Sequence, residues 1–149
     1  MLNGASVRLR PLRAEDLDWL VGAAGKPSAF GEFEPFFVGE AESLRRRFEQ
    51  DGLLSEDATR LVVEDRAGRR VGLAGIDGVD LHSRVARISA TILDPAERAK
   101  GFGTDAHRAL VSYLFLHRGL VRVEAFVAAG NLAARAVMKR LGFVEEGVL

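Results

Sequence analysis

One segment, residues 85–127, constrains the fold of this 149-residue chain more than any other. Apolar patterns predict strands over Val85–Leu93 and Val121–Val127, and helical spacing predicts a helix over Thr104–His117 between them. A strand–helix–strand unit within one sheet places its two strands in parallel, because the helix returns the chain to the end of the sheet at which the first strand began. We therefore expect these residues to supply a parallel pair of neighbouring strands.

Shorter patterns in the rest of the chain predict further strands and helices. Alternating apolar and charged residues from Val7 to Arg10 stop at Pro11, and a turn at Ala67-Gly68 separates two apolar runs, as in a hairpin. Strands that follow one another in this way pair as an antiparallel meander. The whole pattern predicts one α/β (α+β) domain over residues 1–149, with a mixed, mostly antiparallel and splayed sheet flanked by helices. The remaining predicted strands are Val7–Arg10, Leu61–Glu64, Val71–Ile76 and Phe143–Leu149, and the remaining helices are Ala14–Ala23, Glu40–Gln50 and Asn131–Leu141.

Composition excludes several classes of function. The 21 basic and 21 acidic residues cancel, whereas proteins that bind nucleic acid carry a basic excess. The chain has no cysteine, which removes disulfides, Cys-ligated zinc and a thiol nucleophile. His82, His107 and His117 share no metal-ligand spacing, and no apolar run approaches the roughly 20 residues that span a bilayer. We therefore expect a cytoplasmic domain with no metal, no nucleic-acid partner and no membrane segment.

Residues 98–104, here called the glycine loop, lie between a predicted strand end and a predicted helix start. Gly101 and Gly103 permit a tight turn and leave the backbone amides uncovered. These amides and the unpaired N–H groups of the following helix form an anion site, to which Arg98 and Lys100 add positive charge. The glycine loop therefore predicts a pyrophosphate site, although a plain glycine turn with solvated basic residues fits the same heptad.

The residues from Gly101 to Ala106 also match the G-x-G-x-x-G/A fingerprint of dinucleotide-binding loops, with Glu124 as a candidate ribose ligand. Two features count against this interpretation. A dinucleotide loop follows its strand almost at once, whereas residues 95–100 intervene here. The ribose acid ends its strand, whereas Glu124 lies inside the predicted strand Val121–Val127.

Two motifs together resemble one family. Arg98-x-x-Gly101-x-Gly103 resembles the Q/R-x-x-G-x-G/A element of the GNAT superfamily of N-acetyltransferases. The segment from Asn131 to Phe143 is similar to the N-x-x-A/S-x-x-V-x-x-x-x-G-F helix of its RimJ/RimL-like branch. Both motifs occur in the family's order and separation, and compatible elements cover nearly the whole chain.

The resemblance implies a site for coenzyme A. In this family the sheet splays between the two parallel strands, and the pantetheine arm lies in the gap. The arm would pair with the backbone of Ile92 and Leu93. Asn131 would contact the arm, although capping its own helix is an equal and compatible role. The pyrophosphate would lie on the amides of Arg98, Ala99, Lys100, Gly101, Phe102, Gly103 and Thr104.

The resemblance also implies acetyl-CoA as co-substrate and direct transfer of its acetyl group to a primary amine, on a peptide N-terminus or a small molecule. Direct transfer needs no enzyme nucleophile, which agrees with the absence of cysteine. The chain departs from relatives where Met138 replaces a common tyrosine acid, Ala134 a serine and Arg87 a glutamate. These departures keep open a second interpretation, a non-catalytic module that binds acyl-CoA.

No motif identifies the group that moves the proton. Asp77 and Asp94 follow strands, Ser89 lies within one, and Glu32 lies in a loop over residues 25–39 that is rich in phenylalanine. Each of the four ordinarily has a solvated, capping or packing role. The loop either packs onto the sheet or lines the acceptor site.

The last residues raise a question of assembly. Relatives in this family continue beyond the Glu145-Glu146-Gly147 region into another strand of a hairpin, and the given chain ends at Leu149. The last strand is therefore expected to be missing or shortened. An unpaired sheet edge invites pairing with a second copy, so a homodimer is expected.

Overall fold

The computed structural model describes residues 1–29, 31–33 and 40–148, which form one six-stranded sheet and four α-helices. The elements from Val7 to Arg140 occur in the predicted order, and the first strand of the sheet was not predicted. Within these ranges no helix is long and apolar enough to cross a bilayer. The strands are β1 (Leu2–Asn3), β2 (Val7–Pro11), β3 (Ala58–Asp65), β4 (Arg70–Asp80), β5 (Val85–Ile92) and β6 (Arg122–Glu124), and the helices are α1 (Leu17–Ala24), α2 (Glu40–Asp51), α3 (Phe102–Leu116) and α4 (Leu132–Arg140).

The sheet is a meander that ends in one parallel pair. Its strands lie in the order of the chain, from β1 to β6, and each neighbouring pair up to β5 is antiparallel. β6 returns through α3 and pairs with β5 in parallel, with Val85 opposite Arg122. The predicted mixed sheet and its parallel pair are therefore confirmed.

Apolar side chains cover both faces of the sheet. On one face, the buried Ala106, Leu110 and Leu114 of α3 pack against strand residues that include Val63 and Ile88. On the other face, α1 and α2 cover a second cluster. Burial of a leucine or valine side chain stabilises the fold by about 1.5–3 kcal/mol, so these layers hold the helices on the sheet. The second cluster comprises Leu12, Leu20, Ala29, Leu44, Leu53, Val62 and Leu93.

A buried carboxylate fixes the first turn of α3. Asp105 accepts hydrogen bonds from the N–H groups of Ala5, Ser6 and Val7, at 3.1, 2.7 and 3.1 Å. Burial by itself raises the pKa of the Asp105 carboxyl, but these N–H groups more than offset the effect and hold that pKa below its ordinary value. The stability that the carboxylate contributes is therefore present above the pKa of an unfolded aspartate and is lost as the pH falls.

A buried ion pair fixes the start of α1. Arg10 donates from both Nη atoms to Asp16, at 2.6 and 2.9 Å, and from Nε to Glu64 at 2.7 Å. Burial raises the pKa of Asp16, but Arg10 and the Arg13 amide more than offset this effect and lower it. These bonds tie the start of α1 to β2 and β3. The loop that follows α1 and reaches the end of β5 therefore begins at a fixed helix.

The sixth strand is shorter than predicted. Only Arg122–Glu124 pairs with β5, in place of the predicted Val121–Val127. After Glu124 the chain leaves the ladder, and the Phe126 ring lies 3.8 Å from the guanidinium carbon of Arg87 on β5. The two strands therefore share a ladder of three residue pairs.

The strand predicted from Phe143 onward is wrong over the described part, because residues 143–148 contain no strand. Two ion pairs hold this segment by its side chains against α4 and β6. The pairs are Arg135 with Glu145, at 2.8 Å, and Arg122 with Glu146.

Replacing Gly4 with alanine tests the contact between Asp105 and the turn before β2. A Cβ at Gly4 would lie 2.7 Å from Cγ of Asp105, so the carboxylate must leave its N–H donors. We expect Gly4→Ala to lower the free energy of unfolding by about 3 kcal/mol, measured by urea denaturation. Gly22→Ala is the matched control, since nothing lies within 4 Å of a Cβ there. The control should gain about 0.5–1 kcal/mol, and equal stability of the two variants would contradict the account.

Candidate functional site

A gap opens between β5 and β6 close to where the two strands begin to pair. Their ladder joins Val85, Ala86 and Arg87 to Arg122, Val123 and Glu124, and then stops, while β5 continues to Ile92. Within the described part of the chain, one edge of β5 beyond Arg87 therefore has no strand beside it. This edge supplies backbone groups that a bound molecule can use.

The direction of each backbone group on β5 follows from one hydrogen bond. The Leu93 N–H donates to the Val71 carbonyl on the β4 side at 3.0 Å. Because backbone groups alternate in direction along a strand, Ile88, Ala90 and Ile92 present theirs to the gap. Of the two residues expected to pair with pantetheine, Ile92 therefore faces the gap, and the Leu93 N–H is already bonded within the sheet.

The glycine loop ends in an uncapped helix. Gly101 precedes α3 with φ +84°, a left-handed conformation that favours glycine, and no side chain caps α3. The first helical bond runs from the Asp105 N–H to the Gly101 carbonyl, so the N–H groups of residues 102–104 have no helical acceptor. α3 begins at Phe102, two residues earlier than predicted, which places Gly103 inside its first turn.

Gly103 leaves space beside these N–H groups. Outside its own helix, a Cβ on this residue would meet only Cγ1 of Ile92, at the ordinary contact distance of 3.9 Å. The fold itself therefore tolerates a side chain at Gly103. The uncovered amides at the helix start, with the positive end of the helix dipole, fit a pyrophosphate.

The two cations of the glycine loop have different roles. The half-buried Arg98 donates from Nε to the Ile92 carbonyl at 3.0 Å, and from Nη2 to the Ala29 and Ser28 carbonyls at 2.5 and 3.2 Å. The exposed Lys100 pairs with Glu97 at 2.9 Å and can turn towards an anion. Arg98 thus braces the end of β5 against the loop after α1, whereas Lys100 remains at the surface.

Residues of the phenylalanine-rich loop contact both sides of the gap. Ala29 is bonded to Arg98, which follows β5. The Phe33 ring lies so close to Gly130, which follows β6, that a Cβ there would be 3.1 Å from it. The described part of this loop therefore packs onto the site. Residue 30 and residues 34–39, on which the question of lining or packing also rests, lie outside the described residues.

The four candidate catalytic side chains do not converge. Ser89 and Asp77 lie on the sheet face opposite α3, where Oδ1 of Asp77 accepts from Arg60 at 2.7 Å. Asp94 caps the short turn that follows β5 by accepting from the Ala96 N–H at 2.9 Å. Glu32 is exposed.

The second motif has a structural role at its start. Asn131 caps α4 by accepting from the Ala134 N–H at 3.0 Å, which is one of its two predicted roles. Met138 is buried with 8% of its surface exposed, so the position where relatives have an acid faces the interior. His107 is buried in α3, with Nδ1 2.8 Å from the Gly103 carbonyl, and its burial lowers its pKa. No group of three or more His, Asp or Glu side chains within the described ranges is placed to hold a metal ion.

Comparison with known families and structures agrees with this geometry. The model of the acetyltransferase (GNAT) domain family matches residues 6–144. "Probable N-acetyltransferase YjcK" of Bacillus subtilis is 27% identical over 157 residues, which cover 99% of this chain and 86% of the relative. "Putative ribosomal N-acetyltransferase YdaF" of the same species is 39% identical over 80 residues, which cover 54% of this chain and 43% of the relative.

Solved structures share the fold. The crystal structure of a spermidine N-acetyltransferase from Vibrio cholerae in complex with CoA and spermine superposes with a TM-score of 0.84 at 25% identity. The superposition covers 97% of this chain and 85% of that one. The splayed sheet flanked by helices is therefore an architecture that binds CoA in a related protein.

Two substitutions distinguish the bracing role of Arg98 from the surface role of Lys100. We expect Arg98→Gln to lower the free energy of unfolding of the ligand-free protein by about 2 kcal/mol, because three carbonyls, among them that of the buried Ala29, lose a charged donor. Lys100→Gln removes the same charge from an exposed pair and should change stability by no more than about 0.5 kcal/mol. Denaturation of both variants measures the difference. An effect of Arg98→Gln as small as that of Lys100→Gln would show that Arg98 does not brace the site.

Proposed function

The chain belongs to the acetyltransferase (GNAT) domain family of N-acetyltransferases, and we propose that it moves the acetyl group of acetyl-CoA directly onto a primary amine. The observation that carries this proposal is the position of two sets of backbone groups, the N–H groups at the helix start that have no helical acceptor and the groups of β5 that face the gap. The Ile92 carbonyl already accepts from Arg98, so Ile92 offers its N–H to a ligand. The N–H groups of residues 102–104 lie at the start of α3, and the open edge of β5 runs from Ile92 back to Ile88. Together they offer an anion site followed by an extended binding edge.

The two sets of groups fit successive parts of acetyl-CoA. The pyrophosphate lies on the N–H groups at the start of α3, with Gly103 leaving room and Lys100 within reach. The pantetheine arm extends along β5, whose edge from Ile92 to Ile88 spans about 13 Å. The amide groups of the arm can pair with the backbone of Ile92 and Ala90, as an added strand would. The thioester then lies near Arg87, where the gap closes.

The thioester supplies an acyl group that is already activated towards a nucleophile. The amine nitrogen bonds to the carbonyl carbon, the C–S bond breaks, and the sulfur leaves as a thiolate. The amine must first lose a proton, and the thiolate finally takes one up. A backbone N–H of β5 that faces the gap can stabilise the negative charge on the carbonyl oxygen.

Two side chains near the proposed site are excluded as the groups that transfer protons. Met138 is buried and cannot act as an acid, and Asp77 is held by Arg60. The exposed face of β5 is open to water, so proton transfer to and from solvent fits the site. Ser89 is a hydroxyl exposed on that face.

The acceptor is a peptide N-terminus or a small amine. The name of YdaF refers to ribosomal N-acetylation, which supports the peptide class and the RimJ/RimL-like assignment. The spermidine N-acetyltransferase structures support a small-molecule amine. The acceptor site in either case is the face of β4 and β5 opposite α3.

Replacing Gly103 with tryptophan tests the cofactor site. The family element allows alanine at this position, so a methyl group would leave the cofactor room, whereas an indole would cover the N–H groups that would bind pyrophosphate. A Cβ at Gly103 lies 3.9 Å from Cγ1 of Ile92, an ordinary contact distance that the fold can accept. We expect calorimetric titration to show that Gly103→Trp binds acetyl-CoA at least tenfold more weakly than the wild type. Gly22→Trp is the matched control in α1 and should bind within twofold of the wild type, because nothing lies within 4 Å of a Cβ there.

The outcomes separate the proposal from its alternatives. Equal affinity of Gly103→Trp and the wild type would place the pyrophosphate elsewhere. Preferential binding of NAD over CoA would favour a dinucleotide site. Tight binding of acetyl-CoA without acetyl transfer to a broad panel of amines would favour the non-catalytic module, to which Met138 and Ala134 give some support.

A further inference from the structure

Arg87 lies at the point where β6 leaves β5. It is the last residue of β5 in the parallel ladder, opposite Glu124 on β6 and opposite Asp77 on β4. Ala86 and Ile88 on either side of it are buried against α3, so its side chain lies on the other face of the sheet, where it is exposed. The side chain of Arg87 therefore lies beside the point at which the proposed acetyl transfer occurs.

Both carboxylates beside Arg87 already have partners. Asp77 accepts from Nη1 of Arg60, and Glu124 accepts from Nε of Arg122, each at 2.7 Å. Among the described residues no acidic side chain forms an ion pair with Arg87. The guanidinium of Arg87 stacks on the Phe126 ring, whose centroid lies 3.8 Å from the guanidinium carbon.

Stacking on Phe126 prepares the guanidinium of Arg87 to bind an anion. The ring covers one face of the planar group and limits its rotation, and among the described residues no acceptor bonds to the N–H groups around its edge. The paired N–H groups of a guanidinium match the two oxygens of a carboxylate or a phosphate. Because stacking restricts the plane beforehand, less conformational entropy is lost when an anion binds.

We propose that Arg87 selects acceptors, by binding an anionic oxygen group that the acceptor amine carries. This inference rests on the proposed function, which places the thioester, and with it the acceptor amine, at the end of the β5 edge near Arg87. A polyamine such as spermidine carries only positive charge and would meet Arg87 as a like charge. An amine that bears a carboxylate or a phosphate a few bonds from its nitrogen pairs with Arg87 and presents the nitrogen to the thioester.

The test compares acceptors that differ only in the anionic group. β-Alanine is paired with β-alanine amide, and glucosamine 6-phosphate with glucosamine, so that one pair reports on carboxylate and the other on phosphate. Spermidine represents acceptors that carry only positive charge. The kcat/KM for each acceptor is measured with wild type, Arg87→Gln, Arg87→Lys and Phe126→Leu, and Arg118→Gln serves as a control because it removes an exposed arginine after α3.

We expect the wild type to prefer the anionic member of at least one pair by tenfold or more, and to use spermidine poorly. Arg87→Gln should reduce that preference to within twofold by lowering kcat/KM for the anionic member alone. Arg87→Lys and Phe126→Leu should keep part of the preference, and Arg118→Gln all of it.

Two results would overturn the inference while leaving the proposed function intact. One is a wild type that prefers spermidine or the neutral members, and the other is an anion preference that survives in Arg87→Gln. Failure to bind acetyl-CoA, or binding without transfer to any acceptor, would overturn the proposed function and this inference with it. Titration of acetyl-CoA into each variant separates these cases, because Arg87 variants should bind acetyl-CoA as the wild type does.

Discussion

The site depends on how soon β6 separates from β5. Three residue pairs join these strands, and β5 then continues for five residues with one edge uncovered. If the ladder continued to Ile92, β6 would occupy the backbone groups that face the gap. The short ladder is also what leaves Arg87 at the closed end of the gap, with Phe126 rather than a strand neighbour against it. One interruption of pairing thus creates both the open edge of β5 and the closed end at which Arg87 lies.

The glycine loop is held from both sides, so its amides can stay uncapped. Arg98 bonds the loop to the carbonyls of Ile92 and Ala29, and Asp105 bonds the first turn of α3 to the backbone before β2. Asn131 and Asp94 supply side-chain caps at other helix starts, whereas Gly101 supplies none at α3. Contacts elsewhere fix the helix start, and its N–H groups are preorganised for an anion at little cost in entropy.

Most of the fold could be predicted from patterns that act locally. Apolar periodicity located the strands, and the glycines of residues 98–104 located the start of α3 to within two residues. The length of β6 could not be predicted, because the local apolar pattern does not show where pairing with a distant strand stops. The strand expected from Phe143 failed for the same reason, since a strand forms only beside a partner, and this segment is joined to Arg122 and Arg135 through side chains instead. The predicted positive charge of Arg98 is present, but its carbonyl partners lie up to 70 residues away.

The central claim is that acetyl-CoA lies along the open edge of β5 with its pyrophosphate on the start of α3. Amide hydrogen exchange, followed by NMR with and without acetyl-CoA, tests this residue by residue. The account predicts slower exchange at Phe102, Gly103 and Thr104 and at Ile92, with no change at Leu93, whose N–H is already bonded to Val71. Binding that leaves the amides of residues 102–104 and Ile92 unprotected would contradict it.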